Sequence, residues 1–182
     1  MYDIRELEIA DVLHISPKPN HDDRGFLVEV TKDSFLKHCG LPSFVQDNLT
    51  FSKKNVLRGL HLQKEPYSQG KLLLLLEGTI IDVAVDVRRA SPSFGKFVSV
   101  ELDSDNLDMI YVPPGFAHGF YTISETSKIL YKNTREYMPD LNTGIIWNDS
   151  SLKIDWPCSN PILSDKDYNL GTIDDLIAKG DI

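Results

Sequence analysis

The sequence predicts an all-β domain, an antiparallel sandwich or barrel carrying a few short helices. Three observations predict it: short apolar runs rich in Val, Ile, Leu and Phe recur through the middle of the chain, Gly, Pro, Asn and Asp punctuate them, and helix signals are sparse. The elements follow in order. Residues 31–40, TKDSFLKHCG, offer a Thr or Asp cap, an apolar pair and a terminal Gly, which fit one short helix. Residues 71–89, KLLLLLEGTIIDVAVDVRR, give a fully apolar run, a Glu-Gly turn and then an alternation. That alternation sets Ile81, Val83, Val85 and Val87 on one face and Asp82, Ala84 and Asp86 on the other. Residues 95–106 repeat the pattern with Val98, Val100 and Leu102 inward, before a polar turn over 103–108. The strand MIYV, the loop PPGFAHGF and apolar stretches at 120–123 and 129–131 complete the set, and strands at this spacing predict a sandwich or barrel. GTIDDLIAKGDI at 171–182 can form a second helix, and residues 157–182 read as a tail packed back on the barrel.

Bulk composition bounds the function. At 182 residues the chain suits one domain spanning 1–182, with no linker or repeat to divide it. No apolar run approaches the roughly 20 residues of a membrane span, and the N-terminus does not read as a signal peptide, so a cytoplasmic location is expected. Cys39 and Cys158 lack metal or redox-pair spacing and are expected to be reduced. The net charge of −8 argues against binding nucleic-acid phosphates, which needs a basic face. It leaves room for one small anionic ligand held by a few converging cations.

Of the five histidines, His14, His21 and His38 lie in ordinary polar or terminal contexts, where a surface or hydrogen-bonded role is expected. His61 in NVLRGLHLQ and His118 in VPPGFAHGF differ, because polar residues set into apolar strands are expensive to bury unless paired or used. A barrel interior that is a binding cavity explains them. Lys71, Tyr131 and Tyr137 can reach such a cavity, although a strand-end lysine with its head in water and tyrosines at a sheet margin fit the same spacing. Arg24 and Arg58 suit surface ion pairs, or a phosphate if they converge. Small barrels of the cupin type often hold a metal with His-x-His, a Glu and a later Pro-x-Gly-x-x-His. Pro113, Gly115 and His118 supply the last part, but Gln63 stands where the second histidine would be, leaving too few ligands for a catalytic metal. Proton transfer remains.

Ten motifs stand in order: DDRGF, QDNLTFS, NVLRGLHLQ, QGKLL, DVAVDVRRASPSFGK, VPPGFAHGF, LYKNTREY, WND, IDWP and LSDKD. Over nearly the whole chain they resemble the dTDP-4-dehydrorhamnose 3,5-epimerases. The resemblance implies a cupin-like jelly-roll barrel, a homodimer with no metal or organic cofactor, and a dTDP-linked 4-keto-6-deoxy sugar as substrate. The product feeds dTDP-L-rhamnose synthesis for bacterial surface polysaccharide. By the same resemblance His61 is the base, Asp167 the carboxylate that orients it, Tyr131 the acid on the opposite face and Lys71 the lysine at the ketone oxygen. Tyr137 matches the aromatic that stacks on thymine. Arg24, Glu29, Gln46, Asp47, Asn48, Arg58, His118 and Lys166 match positions that bind nucleotide or sugar. Asn142 departs from the pattern, standing where most members carry a glutamate, and leaves the contact there open.

The residue types suit the chemistry. Abstraction of a proton beside a ketone is feasible when the developing enolate is stabilised, as by an ammonium. Imidazole titrates near neutral pH, and a buried Asp stabilises the imidazolium. Activation at carbon 4 acidifies carbons 3 and 5 alike, so one site can invert both. The alternatives are a relative that inverts one carbon or takes another nucleotide-linked 4-keto sugar, a non-catalytic sugar-nucleotide-binding barrel, and a metal-dependent cupin. A long extended N-terminal segment invites strand exchange, which also predicts a homodimer.

Overall fold

The computed structural model describes residues 2–182. In chain order the strands are β1 (Tyr2–Glu6), β2 (Leu13–Pro17), β3 (Asn20–Asp22), β4 (Gly25–Leu27), β5 (Gln46–Lys53), β6 (Leu57–Gln63) and β7 (Lys71–Glu77). They continue as β8 (Thr79–Asp86), β9 (Phe97–Asp103), β10 (Met109–Val112), β11 (Phe116–Thr122), β12 (Thr126–Asn133) and β13 (Asn142–Gly144). The helices are α1 (Asp33–His38), α2 (Asp165–Tyr168) and α3 (Ile173–Lys179). None of the helices among the described residues is long and apolar enough to cross a membrane.

Two antiparallel sheets face each other. One has six strands in the order β1-β2-β10-β7-β12-β5, the other five in the order β13-β6-β11-β8-β9, and β3 and β4 form a separate hairpin. From β5 onward the chain alternates between the sheets, with β8 to β9 as the exception. The Glu77-Gly78 turn therefore carries the chain across the barrel, and Gly78 meets this with a φ of +91°. This is a cupin-like jelly roll.

The core is layered. Between the sheets, Leu73, Leu75, Ile110 and Ile129 of the six-stranded sheet pack on Ile80, Val98, Leu102, Phe116 and Phe120 of the other. Val100 packs partly buried against the same cluster. Truncating one such buried leucine to alanine costs about 2–5 kcal/mol. The outer face of the six-stranded sheet is covered by α1 through Phe35, together with Leu41. The outer face of the five-stranded sheet is covered by the C-terminal segment, including Leu152, Trp156, Ile173 and Leu176. Backbone bonds fasten that segment as well: Leu57 N–H donates to Ile162 O at 3.0 Å and Ile146 N–H to Gly171 O at 2.8 Å.

Two local features refine the sequence pattern. The alternation in β8 does not divide wet from dry, because Asp82 and Asp86 are fully buried like the valines between them. With β9 and β11 on its edges and the C-terminal segment over one face, β8 has no face in water. The helix expected near residue 33 forms, but its N-cap is Lys32 with no side-chain cap, and Asp33 lies inside the first turn. The helix near the C-terminus carries a capping box of Thr172 and Asp175 and ends on Gly180 at φ +69°.

Candidate active site

Strand register collects chemistry-bearing residues of both sheets around a cavity of about 310 Å³. On the five-stranded sheet, β6 contributes Arg58 and His61, β11 contributes His118 and Phe120, and β13 contributes Asn142. On the six-stranded sheet, β5 contributes Asn48 and Thr50, β7 contributes Lys71, and β12 contributes Tyr131 and Asn133. Gln69, Tyr137, Ser164, Lys166 and Asp167 close it from loops and the C-terminal segment.

His61 and His118 are register partners on β6 and β11. The two backbones meet beside them at glycines: a Cβ on Gly59 would stand 2.6 Å from Gly119 Cα, and one on Gly119 would stand 2.6 Å from Arg58 O. That close approach accounts for glycine in both RGLH and AHGF.

His61 Nε2 lies 2.5 Å from Asp167 Oδ1. Asp167 reaches it from the first turn of α2, where its N–H donates to the Ser164 cap at 3.1 Å. Burial raises the Asp167 carboxyl, but hydrogen bonds from His61, the Gly59 backbone and Ser164 outweigh it and hold the group below its ordinary range. Burial lowers the His61 pKa against the opposing pull of Asp167, with Lys71 and Lys166 lowering it further. The imidazole is therefore neutral at neutral pH. Its Nε2–H faces the carboxylate, and Nδ1 keeps its lone pair.

Lys71 Nζ donates to His61 O at 3.3 Å. Burial pushes its pKa down to about 8, against the pull of Asp82, so it stays an ammonium at neutral pH. Burial and the Asp82 charge hold the Tyr131 phenol well above its ordinary value, so it stays protonated. Its ring stands edge-on to His118, 6.5 Å between centroids.

The expected site residues divide into two groups. His61, Lys71, Tyr131, Asp167, Asn48, Arg58, His118, Tyr137 and Lys166 line one cavity, as does Asn142, whose Oδ1 accepts from Lys166 Nζ. Gln46 stands behind that lining, its Oε1 accepting the Tyr137 N–H at 2.8 Å, while Asp47 pairs with Lys132 at 2.8 Å. Arg24 and Glu29 lie outside the cavity of their own chain. Arg24, with its side chain 89% exposed, pairs with Asp22 beside the β3–β4 turn, and Glu29 pairs with Lys32.

Two participants escaped the sequence reading. Asp82 is buried and meets His118 Nε2 at 2.9 and 3.0 Å; an acid inside the apolar run TIIDVAV was the available signal. Thr50 sets a buried Oγ1 close to Tyr131, and its position between Leu49 and Phe51 gave no sign of it.

Three cations, Arg58, Lys71 and Lys166, line the cavity against one carboxylate, Asp167, in a chain whose net charge is −8. Among the described residues no group of three or more His, Cys, Asp or Glu is placed to hold a metal ion. An unprotonated imidazole on one sheet, a protonated phenol on the other and an ammonium beside the imidazole equip the cavity to hold an anion and to move protons.

The sequence model of the dTDP-4-dehydrorhamnose 3,5-epimerases matches residues 6–175. The chain belongs to this family. It is 50% identical over 173 residues to the dTDP-4-dehydrorhamnose 3,5-epimerase of Escherichia coli, covering 93% of this chain and 94% of that one. The structure is similar to the dTDP-6-deoxy-D-glucose-3,5-epimerase of Legionella pneumophila in complex with dTDP-4-keto-L-rhamnose. The TM-score is 0.93, with 39% identity, 98% of this chain covered and 96% of that chain. It is also similar to a 3'-monoepimerase from Streptomyces bikiniensis in complex with dTDP-quinovose, with a TM-score of 0.90, 29% identity and coverage of 97% and 91%. One fold is thus shared by a protein named as a 3,5-epimerase and one named as a 3'-monoepimerase.

Proposed function

We propose that this chain inverts carbons 3 and 5 of dTDP-4-dehydro-6-deoxy-D-glucose, giving dTDP-4-dehydro-L-rhamnose. The observation that carries the reading is the placement of His61 and Tyr131 on opposite sheets of one cavity that also holds Lys71. In this reading His61 takes the proton beside the ketone, and Lys71 stabilises the enolate oxygen. Asp167 stabilises the imidazolium, and Tyr131 delivers a proton to the opposite face. Proton exchange with solvent restores the phenol and the neutral imidazole for the second carbon. Arg58 and Lys166 bind the diphosphate, Tyr137 stacks on the thymine, and Asn48 and His118 contact the sugar nucleotide.

The chain works as a homodimer in this proposal. Arg24 and Glu29, expected at the ligand, lie on or beside a hairpin outside their own cavity, where Phe26 and Leu27 are 56% and 70% exposed. Strand β5 is a sheet edge whose Leu49 and Phe51 are also exposed. An apolar hairpin and an apolar edge suit burial against a second copy, whose hairpin would complete the ligand contacts. A reducing compartment such as the cytoplasm fits the free thiols of Cys39 and Cys158.

Proton NMR of dTDP-4-keto-6-deoxyglucose in deuterated water tests the reading. Solvent exchange at carbons 3 and 5, abolished in His61→Ala, with the L-sugar trapped by a 4-keto reductase, is expected. Exchange at one carbon would assign the single-inversion activity named for the Streptomyces bikiniensis neighbour, and no exchange would overturn the epimerase reading.

A further inference from the structure

Gln63, two residues past His61 on β6, is a polar side chain only 3% exposed, and the proton-transfer chemistry does not use it. Its amide is fully engaged by backbone. Nε2 donates to Tyr67 O at 2.6 Å and to Glu136 O at 3.1 Å, and Oε1 accepts the Met138 N–H at 2.8 Å. The second and third partners flank Tyr137, which lines the cavity while 46% exposed. Other groups hold the same loop: Thr134 bonds Gly70, Gln69 Nε2 donates to Arg135 O, and Gln46 Oε1 accepts the Tyr137 N–H. Gln63 alone grips the loop on both sides of the aromatic residue. It also ties it to the 64–70 loop, while its own backbone pairs with Asn142 of β13.

We propose that Gln63 is the positioning residue that fixes Tyr137 for the nucleotide base, acting through the 134–138 loop and not on the reacting carbons. The proposal rests on the reading of Tyr137 as the aromatic that meets the base. A carboxamide suits the task because it offers two donors to two carbonyls and an acceptor to one amide from a single plane. A glutamate would set a carboxylate against both carbonyls, and an aliphatic residue would leave all three backbone groups without this partner. A fixed aromatic binds more tightly than a mobile one because the ordering cost is met before the ligand arrives.

The test compares dTDP affinity, KM and kcat in wild type, Gln63→Leu, Tyr137→Ala and the double variant. Gln63→Leu is expected to weaken dTDP binding and raise KM on the order of fivefold to tenfold, the worth of one or two hydrogen bonds, with kcat nearly unchanged. In the Tyr137→Ala background it is expected to add nothing. Methyl NMR of methionine supplies a readout without ligand, since Met138 reports the loop and fully buried Met109 reports the core. Gln63→Leu is expected to make the Met138 signal mobile and to leave Met109 in place. If Met109 is disturbed, Gln63→Asn, which keeps the amide one methylene short, takes its place with the same expectations. Equal weakening with and without Tyr137, or an unmoved Met138 signal with unchanged affinity, overturns the proposal and leaves the reading of Tyr137 standing. Unchanged dTDP affinity in Tyr137→Ala overturns that reading and the proposal with it.

Discussion

His61 and His118 face each other as register partners on adjacent strands, yet their carboxylates come from opposite directions along the chain. Asp167 lies 106 residues after His61, and Asp82 lies 36 residues before His118. The first carboxylate is delivered by a helix at the cavity margin, and the second stands on a central strand with no exposed face. The two acids therefore affect different neighbours, and each neighbour gives a measurable consequence.

Burial lowers the Lys71 pKa and raises that of Tyr131, and the Asp82 charge opposes the first shift and adds to the second. Imidazole is a base only when unprotonated, so kcat/KM is expected to rise with pH through a value below the ordinary 6.5 of His61. It is expected to fall again as pH rises past about 8 and Lys71 loses its proton. Asp82→Asn removes the charge and keeps the shape, and should move the alkaline limb to lower pH. A pH profile with the alkaline limb unmoved would separate Lys71 from that limb.

Asp167→Asn keeps the size of the side chain but loses the charge that stabilises imidazolium. A fall in kcat on the order of 10²–10⁴ is expected, with dTDP affinity held within a few-fold. Titration calorimetry with dTDP beside steady-state rates checks it. A parallel loss of affinity would make Asp167 a ligand contact instead.

On the proposed roles, Tyr131→Phe removes the proton donor and leaves the base. Deuterium is expected to enter carbon 3 from the His61 side while the inverted product is lost. Mass spectrometry of recovered substrate reads the exchange, and loss of exchange in step with inversion would move Tyr131 out of the acid role.

Asp86 concerns stability. Burial raises its carboxyl, but hydrogen bonds from Arg88, Ser91 and Ser93 outweigh burial and bring it down to about 2. The folded value lies below the unfolded one, so this contribution, about 2 kcal/mol, is complete above roughly pH 4 and is lost as pH falls toward 2. Asp86→Asn should lower the urea midpoint at pH 7 and flatten its decline between pH 4 and 2. An equally steep decline in the variant would place the acid sensitivity elsewhere.

The strands were legible where one property repeats locally. The alternation of Val98, Val100 and Leu102 marks β9, and the Thr172 cap and Gly180 bracket α3. Asp82 was not legible, because period-two alternation identifies faces without saying that both are dry, and β8 is buried by neighbours distant in sequence. Helix α2 has four residues, too few to show helical periodicity, so its Asp167 was reachable only through the resemblance. Arg24 and Glu29 could be named from their motif but not placed, since a local pattern carries no information about whether the fold brings them to the cavity of their own chain. Gln63 registered as a missing metal ligand, and its three partners became visible only when two loops were folded over it.

The C-terminal segment ties the site to the packing of the barrel. Every strand of both sheets, including the walls that carry His61, Lys71 and Tyr131, lies at or before Gly144. The carboxylate that meets the imidazole comes from residues 164–168, beyond all of the strands. Cleavage ahead of Ser164 would therefore take away Asp167 together with the buried Ile173 and Leu176, so the partner of the imidazole and the cover of the five-stranded sheet are lost or kept together.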